Sequence, residues 1–219
     1  MTKDTRTRRD PEGVRRDILR IATEMFARHG LAGSRIDEIA AQTRTSKRMI
    51  YYYFTDKVGL YVACLEAAYA RLRDNETRLD LADLPPLAAL ARLIGFTFDH
   101  HRANPDFIRL VMVENTHDAR HLRASQAIAS MNRPAIDTLC AIIARGEAAG
   151  VMRAGLDPVA LHWQISSMCL FNVANRPTFS TIYGADLFTE AGQARLRQMV
   201  IDTVLCHVRE GSTGQGGPL

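Results

Sequence analysis

An all-α protein is what this sequence predicts, and three observations carry the prediction. Apolar residues recur at three- and four-residue spacing from Val14 almost to the end of the chain. No stretch alternates apolar and polar residues in the manner of a half-buried strand. Ser34 to Lys57, SRIDEIAAQTRTSKRMIYYYFTDK, reads as two short helices around a tight turn, the second rich in side chains that can hold nucleic acid. About nine helices are expected: three in an N-terminal helix-turn-helix domain over 11–57, the rest in a helical body over 58–209. Flexible tails are expected at 1–10 and 210–219.

With 219 residues and 47% hydrophobic content, the chain can bury a sizeable core. No apolar run approaches the ~20 residues that span a bilayer, so no membrane partner is expected. The polar, Arg-rich start has no secretory core, which points to the cytoplasm. Cys64, Cys140, Cys169 and Cys206 show no zinc spacing and read as buried thiols. Charge is asymmetric: residues 1–60 hold 13 Lys+Arg against 8 Asp+Glu, and the remainder 15 against 16. The basic excess therefore lies with the helix-turn-helix, as phosphate binding requires.

Residues 1–10 lack apolar anchors, and Lys3, Arg6, Arg8 and Arg9 could trail along DNA. Asp10-Pro11 opens the first helix, with Val14, Ile18, Ile21, Ala22, Met25 and Phe26 on one face and His29-Gly30 closing it. In the second helix Ile36, Ile39 and Ala40 face inward, Ser34 caps the first turn and Asp37 returns the bond. After the turn Thr43-Arg44-Thr45, Ser46 caps a helix from Lys47 to Phe54 that buries Ile50 and Phe54. Lys47, Arg48, Met49, Tyr51, Tyr52 and Tyr53 point outward, although core packing is an alternative for the tyrosines. A long helix follows from Asp56 through Leu79, with Lys57 in its first turn suited to a backbone phosphate. Further helices are expected from Leu87 to His101, around Phe107–Met112, from about Ala119 to Ala149 with a kink or restart at Pro134, from Asp157-Pro158 to about Asn175, and from Thr189 to Arg209. Arg176–Phe188 reads as a loop.

Residues 14–65 resemble the tetracycline-repressor (TetR) family of bacterial regulators. The match is carried by Phe26-Ala27-Arg28-His29-Gly30, Ile39-Ala40, Ser46-Lys47, Ile50-Tyr51-Tyr52-Tyr53-Phe54, Asp56-Lys57 and Leu60. The resemblance implies a homodimer on double-stranded operator DNA, with a C-terminal domain that binds a small-molecule effector. By position it implies base reading by Lys47, Arg48 and Met49, contacts to phosphates, bases or helix core by Tyr51, Tyr52 and Tyr53, and a phosphate contact by Lys57. The DNA-binding set is completed by Ser34, Arg35 and Ser46. Three departures stand out: Arg44 where the family has glycine, Thr45 where it has a small apolar residue, and acidic Asp37 where it is often basic. A left-handed Arg44 would cost about 1 kcal/mol, and Arg35 could replace the contact missing at Asp37.

Chemistry downstream is less defined. A mixed apolar effector pocket is expected from Phe96, His100, Phe107, Val111, Asn115, Trp163, Met168, Phe171, Asn172 and Tyr183, with Asn172 the most suggestive because a buried amide needs partners. The last two helices carry enough apolar surface to pair with their copies in a dimer. Glu114, His117 and His121 share a helical face and offer an alternative reading as a metal site. No phosphate loop or nucleophile–base pair is present, so no cofactor and no enzymatic activity are expected. The expected function is a ligand-responsive repressor, with an activator of the same architecture as the alternative.

Overall fold

The computed structural model describes residues 10–211, without the side chain of Ala124. The basic arm at Lys3, Arg6, Arg8 and Arg9 lies outside the described residues. Among them are ten α-helices: α1 (Pro11–Gly33), α2 (Ile36–Gln42), α3 (Lys47–Phe54), α4 (Lys57–Glu76), α5 (Pro86–Ala103), α6 (Pro105–Thr116), α7 (Gln126–Ala148), α8 (Pro158–Ala174), α9 (Arg176–Tyr183) and α10 (Glu190–Val208). Contacts divide the chain into two compact units. The first holds residues 10–68 together with 109–125, and the second holds 69–108 and 126–211. The division thus falls inside α4 and inside α6, each of which contributes to both units.

In the first unit, Ile18, Ala22, Phe26, Ile39, Ile50, Leu60 and Tyr61 are almost fully buried. Phe26 meets Tyr61 edge to face at 5.2 Å between ring centres. Gly30 breaks the helical path of α1 with φ 67° and ψ 177°, where the glycine was expected to close the helix. Asp10 stands at the start of α1 but makes no capping bond; its carboxylate lies 3.7 Å from the Arg16 guanidinium instead. Gly59 is required by packing: a Cβ there would lie 2.2 Å from the Phe54 carbonyl oxygen, so only glycine lets α3 turn into α4.

In the second unit, a core of Leu90, Ile94 and Phe98 from α5, Leu139 and Ile142 from α7, Leu161 and Ile165 from α8, and Val204 and Val208 from α10 packs these four helices together. Polar clamps fix them. Arg197 Nε donates to both Asp99 carboxylate oxygens at 3.1 and 2.9 Å. Arg145 donates to the Leu84 and Leu81 carbonyls, holding the segment before α5. Asp157 caps α8 through the Val159 and Ala160 amides, and Thr189 caps α10 through Gly192. Pro134 sits inside α7 without ending it.

Two stretches differ from expectation. Residues 119–125 are not the start of a long helix: Asp118 and Ala119 both take φ 54°, and a 3-10 turn over Leu122–Ala124 precedes α7. Arg176–Tyr183 is helical rather than a loop. There Phe179 stacks on Tyr183 at 4.7 Å, one turn away, and Arg176 lies over Phe188 at 5.5 Å. Aromatic pairing, not an aliphatic stripe, holds that helix. The thiols also split: Cys64 and Cys169 are buried, whereas Cys140 and Cys206 are exposed. Burial pushes the Cys64 and Cys169 thiols up to about 12, which leaves them unreactive.

Candidate nucleic-acid interface

Helix α3 is only eight residues long, so its stability comes from its cap and its buried face. The Ser46 hydroxyl accepts from the Met49 amide at 3.2 Å, the expected N-cap. Ile50 and Phe54 face the core, and the Arg15 guanidinium lies 5.5 Å from the Phe54 ring centre, tying α1 to α3. The connecting turn is held by the Thr43 hydroxyl donating to the Ile39 carbonyl at 2.9 Å and by the Thr45 amide donating to Ala40 at 3.2 Å. Arg44 takes the left-handed conformation, φ 52°, that the family normally meets with glycine.

The outer face of α3 is well presented. Lys47 and Arg48 are exposed, Tyr52 is 78% and Tyr51 39% accessible, and Met49 and Tyr53 are half-buried. Tyr53 packs edge to face on Tyr52 at 5.4 Å and so orients it. Arg48 has no protein partner among the described residues, leaving its planar donor fork for an external acceptor. Lys47 differs: its Nζ pairs with Asp37 of α2 at 3.1 Å. The acidic residue that departs from the family pattern therefore staples α3 to α2 and partly neutralises one of the cations expected to read DNA. No spacing rule relates residues ten apart, so the sequence carried no sign of this pair.

Other expected contacts are redistributed. Ser34 is buried, and its hydroxyl donates to the Met25 and Gly30 carbonyls at 3.1 and 2.8 Å. It closes α1 and does not cap α2. Arg35 occupies the cap position of α2 and is exposed. Lys57 is the first residue of α4, its Nζ donating to the Ala32 carbonyl at 3.4 Å, and the Asp56 carboxylate accepts from the Gly59 amide at 2.7 Å.

Residues 109–125 buttress this unit. Glu114 is fully buried, and its carboxylate accepts from the His121 and Leu122 amides at 3.2 and 3.0 Å and meets His121 Nδ1 at 2.8 Å. Burial raises the Glu114 pKa, but the Leu122 amide, the His121 ring and Tyr61 outweigh it, and the group ends below the ordinary carboxylate value. Tyr61 of α4 lies beside it, its own pKa raised first by burial and then by the Glu114 charge. His117 Nδ1 instead meets the Val113 carbonyl at 2.8 Å. Glu114 is thus the stopper of a turn, and Glu114, His117 and His121 do not form a metal set. No group of three metal-ligating side chains occurs among the described residues.

The expected effector residues are spread over both units. Phe96, His100 and Phe107 cluster in the second unit, with ring centres 5.6 Å apart for Phe96–His100 and 6.2 Å for His100–Phe107. Val111 and Asn115 belong to the first unit, Asn115 exposed. Trp163, Phe171 and Tyr183 are 71%, 52% and 72% accessible. Met168 and Phe171 line an open groove of about 440 Å³ with Leu196, Met199 and Thr203. Asn172, at the floor of that groove, exchanges amide hydrogen bonds with Gln193 at 2.9 and 3.0 Å. Its partner is a helix, not a ligand.

A capped, exposed reading helix on a three-helix support defines a helix-turn-helix DNA-binding transcriptional regulator. The chain belongs to the TetR family: the family model described as bacterial regulatory proteins, tetR family, matches residues 18–64, and that of the tetracyclin repressor-like C-terminal domain matches residues 86–204. The transcriptional repressor NicS of Pseudomonas putida is 34% identical over 198 residues, covering 90% of this chain and 92% of that protein. The regulator RutR of Escherichia coli is 28% identical over 180 residues, covering 79% and 80%. The crystal structure of the regulator SCO4942 from Streptomyces coelicolor superposes with a TM-score of 0.69 at 29% identity, covering 89% of this chain and 98% of that one. No helix of the described residues is long and apolar enough to cross a membrane.

Two kinds of contact are expected of this face. Arg48→Ala is expected to relax preference at one base pair, where a bidentate guanine contact discriminates by about 1–3 kcal/mol. Lys57→Ala is expected to weaken all sequences alike and to flatten the salt dependence by about one unit of slope. Binding isotherms on matched and single-mismatch duplexes across a salt series check both, and equal losses with equal slopes would contradict the division.

Proposed function

We propose that the chain is a homodimeric repressor that leaves its operator when a small-molecule effector binds, with residues 11–57 reading DNA and residues 58–209 serving regulation and dimerisation. The observation that carries the reading is Arg48, exposed and without a protein partner among the described residues, on a capped α3. NicS, itself named a repressor, matches over nine-tenths of this chain. Arg35, Ser46, Lys47, Met49, Tyr51, Tyr52, Tyr53 and Lys57 complete the contact set. Phosphate contacts set register and Arg48 and Met49 supply base preference.

Dimerisation through α8 and α10 is supported by Trp163, Phe171 and Met199, large apolar side chains left more than half exposed on these two helices. Two readers on half-sites about one helical turn apart multiply the discrimination of one. The effector is expected in the second unit near Phe96, His100 and Phe107. From there α6 runs from Phe107 to the buried Glu114, and α4 from the second unit to Lys57 beside the reader. A shift of either helix would change the presentation of α3, with a coupling of about 1–3 kcal/mol. Selection of bound DNA from the flanks of the coding region, followed by a small-molecule screen for release, tests the reading. An effector that binds without changing DNA affinity would count against the release mechanism.

A further inference from the structure

Buried polar groups normally have partners, and in the second unit several grouped together do not. Both ring nitrogens of His100, Nδ1 of His101 and Nε of Arg73 are buried and without a hydrogen-bond partner. His100 and His101 are 7% and 6% accessible and adjacent on α5, with ring centres 6.1 Å apart. The Phe107 ring lies 6.2 Å from His100 and 5.9 Å from His101, Phe96 lies 5.6 Å from His100, and Tyr69 packs on Phe107 at 5.1 Å. Polar groups that seek a partner therefore sit among flat aromatic faces.

The electrostatics indicate the sign of that partner. Burial first, then the charges of Arg71 and Arg73, brings the His100 pKa down to about 4. His101 falls to about 4 through burial, His100 and Arg73, and burial and Arg73 also lower His162 on α8. The imidazoles are neutral; His100 offers one donor and one acceptor, whereas His101 also bonds the Thr97 backbone and leaves Nδ1 alone unpartnered. Burial disfavours any charge there, but the smaller contributions of Arg71 and Arg73 have a sign, and they favour an anion over a cation. Glu76 is paired with Arg73 through its terminal nitrogen, which leaves Nε–H as the unused donor.

We propose that Arg73, His100 and His101 form the binding site for a small planar organic acid, its carboxylate accepting from Arg73 and His100 and its ring lying against Phe96 and Phe107. This names the class of effector and rests on the reading of the chain as a ligand-responsive regulator. A carboxylate fits because it has acceptor positions for several donors at once, and charge-assisted bonds of this type are the stronger kind.

Calorimetric titration of the full chain without DNA, with benzoate and with the uncharged isostere benzamide, tests the site. Benzoate is expected to bind at least roughly tenfold more tightly, the change that a hydrogen bond to a charged group brings. His100→Phe and the paired change Arg73→Gln with Glu76→Gln, which strands no charge, are each expected to remove that preference while leaving the helical circular-dichroism signal unchanged. If the paired variant does not fold, His100→Phe alone decides. No benzoate binding, equal binding of the two probes, or an unchanged preference in His100→Phe overturns the proposal. Operator release is measured separately: benzoate that binds but does not release DNA leaves the site standing and counts against the regulatory reading.

Discussion

Charging the outer face of α8 and α10, by Phe171→Glu together with Met199→Glu, is expected to give a folded monomer that no longer holds its operator. Both side chains are more than half exposed, at 52% and 56%, and both border the groove of about 440 Å³ between the two helices. Each large apolar side chain removed from water contributes about 1.5–3 kcal/mol, and a buried unpaired carboxylate reverses that gain. Because the face is used twice in a two-fold dimer, each substitution acts twice. Joining two readers raises apparent affinity by about 10²–10⁴, so operator binding should fall by roughly that factor while the circular-dichroism spectrum is retained. Sedimentation and mobility-shift assays check both parts. A dimer that persists at micromolar concentration would place the interface elsewhere.

The second large effect is expected inside the first unit. Glu114→Ala removes the acceptor from the His121 and Leu122 amides and from the His121 ring at once. Removing one side of such a buried, charge-assisted set costs about 3–5 kcal/mol, or on the order of 10 °C in melting temperature. Glu114→Gln keeps an acceptor oxygen and should lose about half as much. The carboxylate has its pKa below the ordinary value in the folded chain, so its contribution is present above that value and is lost as pH falls through the lowered one. Thermal melts of the three proteins at neutral pH check the order, and a loss under about 1 kcal/mol for Glu114→Ala would show that the turn is held by other contacts.

Helices α1 to α3 were legible in the sequence because their signals are local: apolar spacing, a serine one residue before Lys47, and a glycine after His29. The all-α class was legible for the same reason. Contacts between elements were not. Ser34 reads as a cap because it precedes a helix, yet a neighbouring helix supplies nearer carbonyls. Asp37 reads as a lost phosphate contact, yet it meets Lys47 across the turn. Asn172 reads as a ligand contact, yet Gln193 answers its amide. The effector residues, chosen as a mixed apolar and polar lining, fall into an aromatic cluster, an outer face and the buttress of the first unit. What the sequence did not signal was Arg73, whose charge acts on His100 and His101 only because the end of α4 and α5 belong to the same unit.

The central claim is that α3 reads sequence. Its most direct test is the ratio of affinities for selected operator and random duplex at one fixed salt concentration. The account predicts a ratio of roughly 10³ or more, reduced by Arg48→Ala but not by Lys57→Ala. A ratio near one, unchanged by Arg48→Ala, would contradict it.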